Sequence, residues 1–180
     1  MPETGGLTDP IAPRLMLVQA LRTLLVPEMA ALGFQRHKLP PALGGRSGNR
    51  TAPFGQFRRP RGDATDLAAI WLDPTRPAAF DIAFGTLPAG PLPNKWGDAI
   101  PHDEAWVHWL PVGYSLLPSA KSLRRFGLRR WPWSPPAVQA DYDALVRSVA
   151  ALLPEMETAL ATGQTGKHVR LIDQRDRNER

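Results

Sequence analysis

Cysteine is absent from the 180-residue chain. Disulfides, thiolate nucleophiles and thiolate metal sites are therefore excluded at once. Long apolar runs are missing as well. The charge-free stretch from Ala105 to Ala120 is broken by His108, Pro111 and Pro118. A bilayer-spanning helix needs about 20 predominantly apolar residues. The opening residues, MPETGGLTDP, carry Glu3 and Asp9 and no basic side chain, and Arg14 is the first. That is not the pattern of a secretory leader. The expectation is a cytoplasmic protein with no membrane partner.

What the chain does contain is apolar substance and arginine. Hydrophobic residues make up 43% of it, enough to bury a core without staples. By length it reads as one domain, 1–173, followed by a flexible tail, 174–180 (QRDRNER). The net charge is +5 and the isoelectric point about 10.2, which raises nucleic acid as a partner. The distribution argues against a uniform polyanion grip. Residues 1–60 carry 8 basic and 3 acidic side chains, 61–120 carry 3 and 7, and 121–180 carry 11 and 7. An acidic middle between basic flanks is equally suited to internal pairing.

Spacing predicts a helix over Ile11–Leu32. Ile11, Leu15, Val18, Leu21, Leu25, Met29 and Leu32 recur every three or four residues. Asp9 and Pro10 suit its start and Gly33 its stop, while Pro27 predicts a kink or break. Arg14 and Arg22 are expected in solvent. A loop rich in proline and glycine, Leu39–Pro53, is followed by three strand candidates: Phe54–Arg59, Asp66–Leu72 and Ala79–Phe84. In the third, Phe80, Ile82 and Phe84 share one face and Asp81 takes the other. Asp73-Pro74-Thr75-Arg76-Pro77 supplies a turn, and connections this short imply an antiparallel meander. A second proline- and glycine-rich loop spans Leu87–Pro101. A final helix follows Ser134-Pro135-Pro136, with Asp141 as an alternative cap and a stripe of Leu145, Val149, Leu152, Met156 and Leu160. Pro154 should kink or restart it. The predicted fold is α+β: an antiparallel sheet meander of four or more strands, packed on one face by the N-terminal and C-terminal helices.

The order of these elements carries a resemblance. A leading helix closes on Leu32-Gly33-Phe34, and an aromatic-basic strand holds Phe57-Arg58-Arg59. An apolar strand runs Leu67–Leu72, and Phe80-Asp81-Ile82-Ala83-Phe84-Gly85 follows. Trp131 and Trp133 precede a closing helix with Leu153-Pro154. Over most of its length the chain resembles the bacterial domain-of-unknown-function 4304 family. The resemblance implies an α+β domain and brings no assigned activity.

Chemistry-bearing motifs are few. His102, Asp103, Glu104 and His108 lie close in sequence, but the two histidines are six apart rather than four as in the zinc hydrolase pattern, and prolines bracket them. Gly113-Tyr114-Ser115 begins like a nucleophile elbow, with Asp141 and His168 after it. Leu117 stands where the second glycine belongs. Gly44-Gly45-Arg46-Ser47-Gly48-Asn49-Arg50-Thr51 has the glycines of a phosphate loop without its spacing or its lysine. Asp63, Asp66, Asp73 and Asp81 would offer acid–base pairs, although aspartates are common at turns and strand ends. No catalytic residue, metal ligand or cofactor is assigned.

The densest surface candidate is Leu123–Trp133, LRRFGLRRWPW. Rings interleaved with guanidiniums suit single-stranded nucleic acid. The preferred reading is a wall with an exposed basic rim, in which Leu123, Phe126, Leu128 and Trp131 enter the core while the arginines lie outward, some over tryptophan faces. The two rings of Trp131-Pro132-Trp133 should share a side. The expectation from sequence is a non-catalytic interaction domain whose partner is another protein, as in an immunity or accessory role. An RNA- or DNA-binding module stands as the alternative, using Arg58, Arg59, Arg124, Arg125, Arg129, Arg130, Trp131 and Trp133, and a hydrolase ranks third.

Overall fold

The computed structural model describes residues 11–38, 50–76, 78–93, 99–122, 124–129, 131 and 133–173. The Asp9–Pro10 cap, the glycine-rich stretch 39–49, Leu123, Arg130 and the tail 174–180 lie outside them.

The first helical stretch is continuous but not uniform. Helix α1 (Ile11–Ala20) passes into a π-helical turn (Leu21–Leu25) and then α2 (Val26–Ala31). The Val26 amide donates to the Leu21 carbonyl, five residues back. Pro27 consequently sits in the first turn of α2, where an N–H would have no helical partner. The proline restarts the helix without breaking the axis apart. Gly33, at φ 87°, ends it in a conformation a side chain would resist. The buried stripe is Leu17, Leu21, Leu25 and Met29. Leu15 is 62% exposed and Val18 only half-buried, contrary to the expected stripe. Counting back from Leu21, four residues reach Leu17 as readily as three reach Val18. Arg22 is exposed as expected, whereas Arg14 folds onto the backbone oxygens of Asp73 and Arg50.

A seven-stranded antiparallel sheet forms the centre. Its strands are β1 (Gln35–His37), β2 (Gln56–Arg61), β3 (Ala64–Leu72), β4 (Ala79–Leu87), β7 (Val112–Leu116), β8 (Phe126–Gly127) and β9 (Val169–Asp173). The order is β1-β2-β3-β4-β7-β9, and β8 pairs with β4 beside β7. β5 (Leu92–Pro93) and β6 (Ala99–Ile100) make a separate hairpin within the stretch read as a loop. β2 and β3 turn through Gly62 (φ 55°) and Asp63. β3 and β4 turn through Asp73, whose Oδ1 accepts the Thr75 and Arg76 amides and the Thr75 hydroxyl. Strands β1, β7, β8 and β9 were not among the strand candidates: β1 is three exposed polar residues, β8 has only two residues, and β7 and β9 are short mixed segments without clear apolar alternation.

The helices α3 (Gln139–Ala150) and α4 (Leu153–Thr162) join α1 and α2 on one face of the sheet. Asp141 caps α3 from inside, its carboxylate accepting the Val138 amide. Pro154 restarts the chain as α4. On α3 the buried face is Tyr142, Val146 and Val149, which leaves Leu145 half-buried, and the restart brings Leu153 and Met156 inward while Leu152 stays half-buried. Phe80, Ile82 and Phe84 face the helices, fully buried with Leu21, Leu25 and Val149.

The sheet's other face is covered too. A second core holds Leu67, Ala69, Ala83 and Leu87 against Leu92, Ala105, Trp106, Val107 and Leu110. The arm 99–110, ending in a 3₁₀ turn (Val107–Trp109), lies across the strands. Asp81, on the face opposite Phe80, Ile82 and Phe84 as expected, is therefore only 7% exposed.

Candidate functional site

The arginines of the sequence motif have separate destinations. Arg58 projects onto the arm and donates to the carbonyls of His102 (3.0 Å) and Ala105 (2.7 Å). Burial pulls its guanidinium below the ordinary value, with Asp103 opposing. Arg59 goes to the helix side. It donates to Asp66 Oδ2, Glu157 Oε2 and the Leu32 carbonyl, and its guanidinium lies 4.4 Å from the Phe34 ring centre. Arg61 also pairs with Asp66, at 2.8 Å, and reaches the Leu160 carbonyl. Arg59 and Arg61 thus tie β2 and β3 to the ends of α2 and α4. Arg125 turns inward between two carboxylates, with Nη1 3.2 Å from Asp73 and Nε 2.8 Å from Asp81.

Arg124 and Arg129 stay exposed, and Arg76 joins them from the β3–β4 turn. With Arg125 they edge a groove of about 830 Å³ between segment 124–129 and α3. Its floor is apolar: Phe126, Leu128, Leu145 and Leu152. Phe126 is anchored by β8 pairing and by ring contact with Phe80 at 5.5 Å. Past Leu128 the groove continues as a hollow of about 470 Å³ lined by Arg129, Ser134, Asp141, Ala144, Leu145 and Ser148. Trp131 and Trp133 stack at 5.3 Å and 11° on a turn closed by Ser134, and are 69% and 79% exposed. They share a side, as expected. Trp131 does not enter the core, because this turn leaves the sheet beyond β8. Among the described residues, the guanidinium–ring stacks are Arg36 on Phe54 and Arg59 on Phe34, and neither involves a tryptophan.

The hydrolase constellation does not assemble. Gly113-Tyr114-Ser115 lies within β7 rather than at a strand-to-helix elbow. His168 Nδ1 is 2.6 Å from Glu155, not paired to Asp141, which is occupied at the start of α3. Burial would raise the Glu155 carboxyl, but the His168 side chain and amide hold it below its ordinary value. His108 packs against Trp71 (4.8 Å, edge-on) and Trp106 (5.5 Å), while His102 engages Arg58 through its carbonyl.

Arg76 was missed in the sequence, and Asp81 was named there only among possible acid–base pairs. Arg76 reaches the groove from 48 positions upstream of Arg124, and no local pattern signals that. Asp81 carried a signal, since a charge between Phe80 and Ile82 in an apolar strand is costly wherever both faces are covered. Burial pushes its carboxyl up to about 6, Arg125 opposing and Asp73 adding to the rise. Compared with protein-family models, curated proteins and solved structures, the chain finds no match in any of the three.

Proposed function

We propose that this protein is a non-catalytic interaction domain that binds an acidic, apolar segment of another protein in the groove between residues 124–129 and α3. The observation that carries the reading is the combination of an apolar floor with three exposed arginines on its edges. Carboxylates of a partner would meet Arg76, Arg124 and Arg129, while its apolar side chains cover Phe126 and Leu128. Fork-shaped guanidiniums suit bidentate carboxylate recognition. An immunity or accessory role agrees with such a surface.

A second reading has its own support. The exposed Trp131–Trp133 stack beside Arg129 suits single-stranded nucleic acid. The floor argues against it, because single strands are held by stacking platforms and basic tracks more than by aliphatic grooves.

Fluorescence anisotropy with a labelled Glu/Leu-rich peptide and a labelled oligothymidylate separates the two. The peptide is expected to bind in the micromolar range at physiological salt, and Arg124→Glu with Arg129→Glu to weaken it at least about tenfold. The oligonucleotide should bind only in the non-specific range of about 10⁻⁴–10⁻⁶ M, fading with salt. Nanomolar oligonucleotide affinity at physiological salt, abolished in the double variant, would replace the protein-partner reading.

A further inference from the structure

The sheet face turned from the helices holds a second concavity, distinct from the groove. A cleft of about 410 Å³ lies between β3, β4, β7 and the 3₁₀ turn. Trp71, Trp106, His108 and Trp109 form its aromatic side. Trp71 and His108 meet edge to face at 4.8 Å, with Trp106 behind at 6.3 Å from Trp71. Trp71 and Trp109 are half-buried, so part of each ring remains open.

Asp81 supplies the polar end. It is the cross-strand partner of Trp71, and its side chain is nine-tenths buried. Arg125 Nε lies 2.8 Å from Oδ1, yet no N–H is aimed along that line and Oδ1 accepts no hydrogen bond. The great majority of buried polar groups do accept or donate one. Asp73, by contrast, is served by Thr75 and Arg76 as well as Arg125. Asp73 and Asp81 share the Arg125 guanidinium, and a second one, Arg14, acts on Asp73 alone. The less well served carboxylate is therefore Asp81, in the cleft with the indole rings.

Arg125 also lines the cleft but is already engaged by Asp73 and Asp81, so an anion gains little there and a neutral ring leaves the Asp81 carboxylate as it is. An ammonium group satisfies both elements, donating to the carboxylate while its charge and adjoining carbons lie against the rings. We propose that this cleft binds a small primary amine with an aromatic or alkyl body, its ammonium donating to Asp81. A quaternary ammonium would gain the ring attraction without the hydrogen bond, and so would bind less well.

Phenethylamine, 2-phenylethanol and 3-phenylpropionate serve as probes of similar shape and different charge. Their binding is followed through the indole N–H signals in proton–nitrogen correlation spectra. Phenethylamine is expected to shift the Trp71 and Trp109 signals saturably, at least about tenfold more tightly than the alcohol. The acid should bind weakest. Asp81→Asn should erase the preference for the amine. The wild-type preference should also decline as pH falls through about 6, where Asp81 takes up a proton while the amine stays charged. Comparing the three probes on the wild type requires no variant to fold. Equal affinity for amine and alcohol overturns the proposal, as does a preference that survives Asp81→Asn. No saturable shift at about 10 mM amine, a concentration that reports even millimolar affinity, overturns it equally.

Discussion

Three aspartates of β3, β4 and the turn between them have different surroundings. Asp66 is fully buried and accepts from Arg59 and from the Thr86 hydroxyl, with Arg61 paired to the same oxygen as Arg59. Asp73 would be raised by burial, but the Thr75 hydroxyl, the Thr75 and Arg76 amides and Arg125 hold its carboxyl below the ordinary value. Asp81 is raised to about 6, chiefly by burial. The two shifts act on stability with opposite signs. A lowered carboxyl contributes stability above its unfolded value and loses it as pH falls. A raised one binds its proton more tightly in the folded state, so its contribution is complete below about 4 and is lost as pH climbs through about 6. Relative to an Asp81 that ionised normally, the folded state at pH 7 is weakened by something on the order of 2–3 kcal/mol. Asp81→Asn is therefore expected to raise stability at pH 7 by about 1–3 kcal/mol and to flatten the profile between pH 4 and 6. Urea titrations at four pH values measure it, and an Asn variant less stable than wild type at pH 7 contradicts the account.

At the scale of elements, what was legible depended on whether one face decided the pattern. The helix over residues 11–32, the turn at Asp73, the stop at Gly33 and the inward set Phe80, Ile82 and Phe84 were all readable, because local chemistry determines them. The phase of a stripe was not, since Leu15 and Leu17 are identical residues and only the shape of the sheet selects Leu17. Nor was the second core, because Trp106 and Leu110 come from a segment with no regular period. The same blindness affected the site. The motif 123–133 announced itself, but its partners Arg76 and α3 arrive through long-range folding. Gly85 makes the element-scale geometry testable. A Cβ there would stand 2.7 Å from Leu110 Cδ1 and 3.4 Å from the Gly113 Cα. Gly85→Ala should cost about 1–3 kcal/mol by overpacking. Pairing it with Leu110→Ala should return part of that loss, because the shortened side chain vacates the contested space. Thermal unfolding of the single and double variants gives the coupling, and strict additivity would mean that Leu110 is not what the new methyl meets.

Across the whole molecule, one sheet supports two cores of unequal build. The helix side is laid down by long regular elements, while the opposite side depends on an arm with a single 3₁₀ turn. Such an arm opens locally at lower free energy than the strands beneath it unless something fastens it. Gln56, fully buried at the start of β2, is the fastening. Its Nε2 donates to the Ala105 carbonyl and its Oε1 accepts the Val107 amide, both at 2.9 Å. Arg58 adds bonds to His102 and Ala105 from the same strand. The arm in turn carries Trp106, His108 and Trp109, so the cleft over Asp81 exists only while it is docked. Gln56→Leu keeps similar bulk but leaves the buried Val107 amide without its partner and the Ala105 carbonyl with Arg58 alone, at a cost of about 1–3 kcal/mol. The loss should be local. Hydrogen exchange at the Val107 amide is expected to accelerate far more than at amides of β3 and β4, whose ladder stays paired. If Val107 in the variant exchanges no faster than those strand amides, the arm is held by Arg58 and its apolar contacts, and Gln56 is only a spectator.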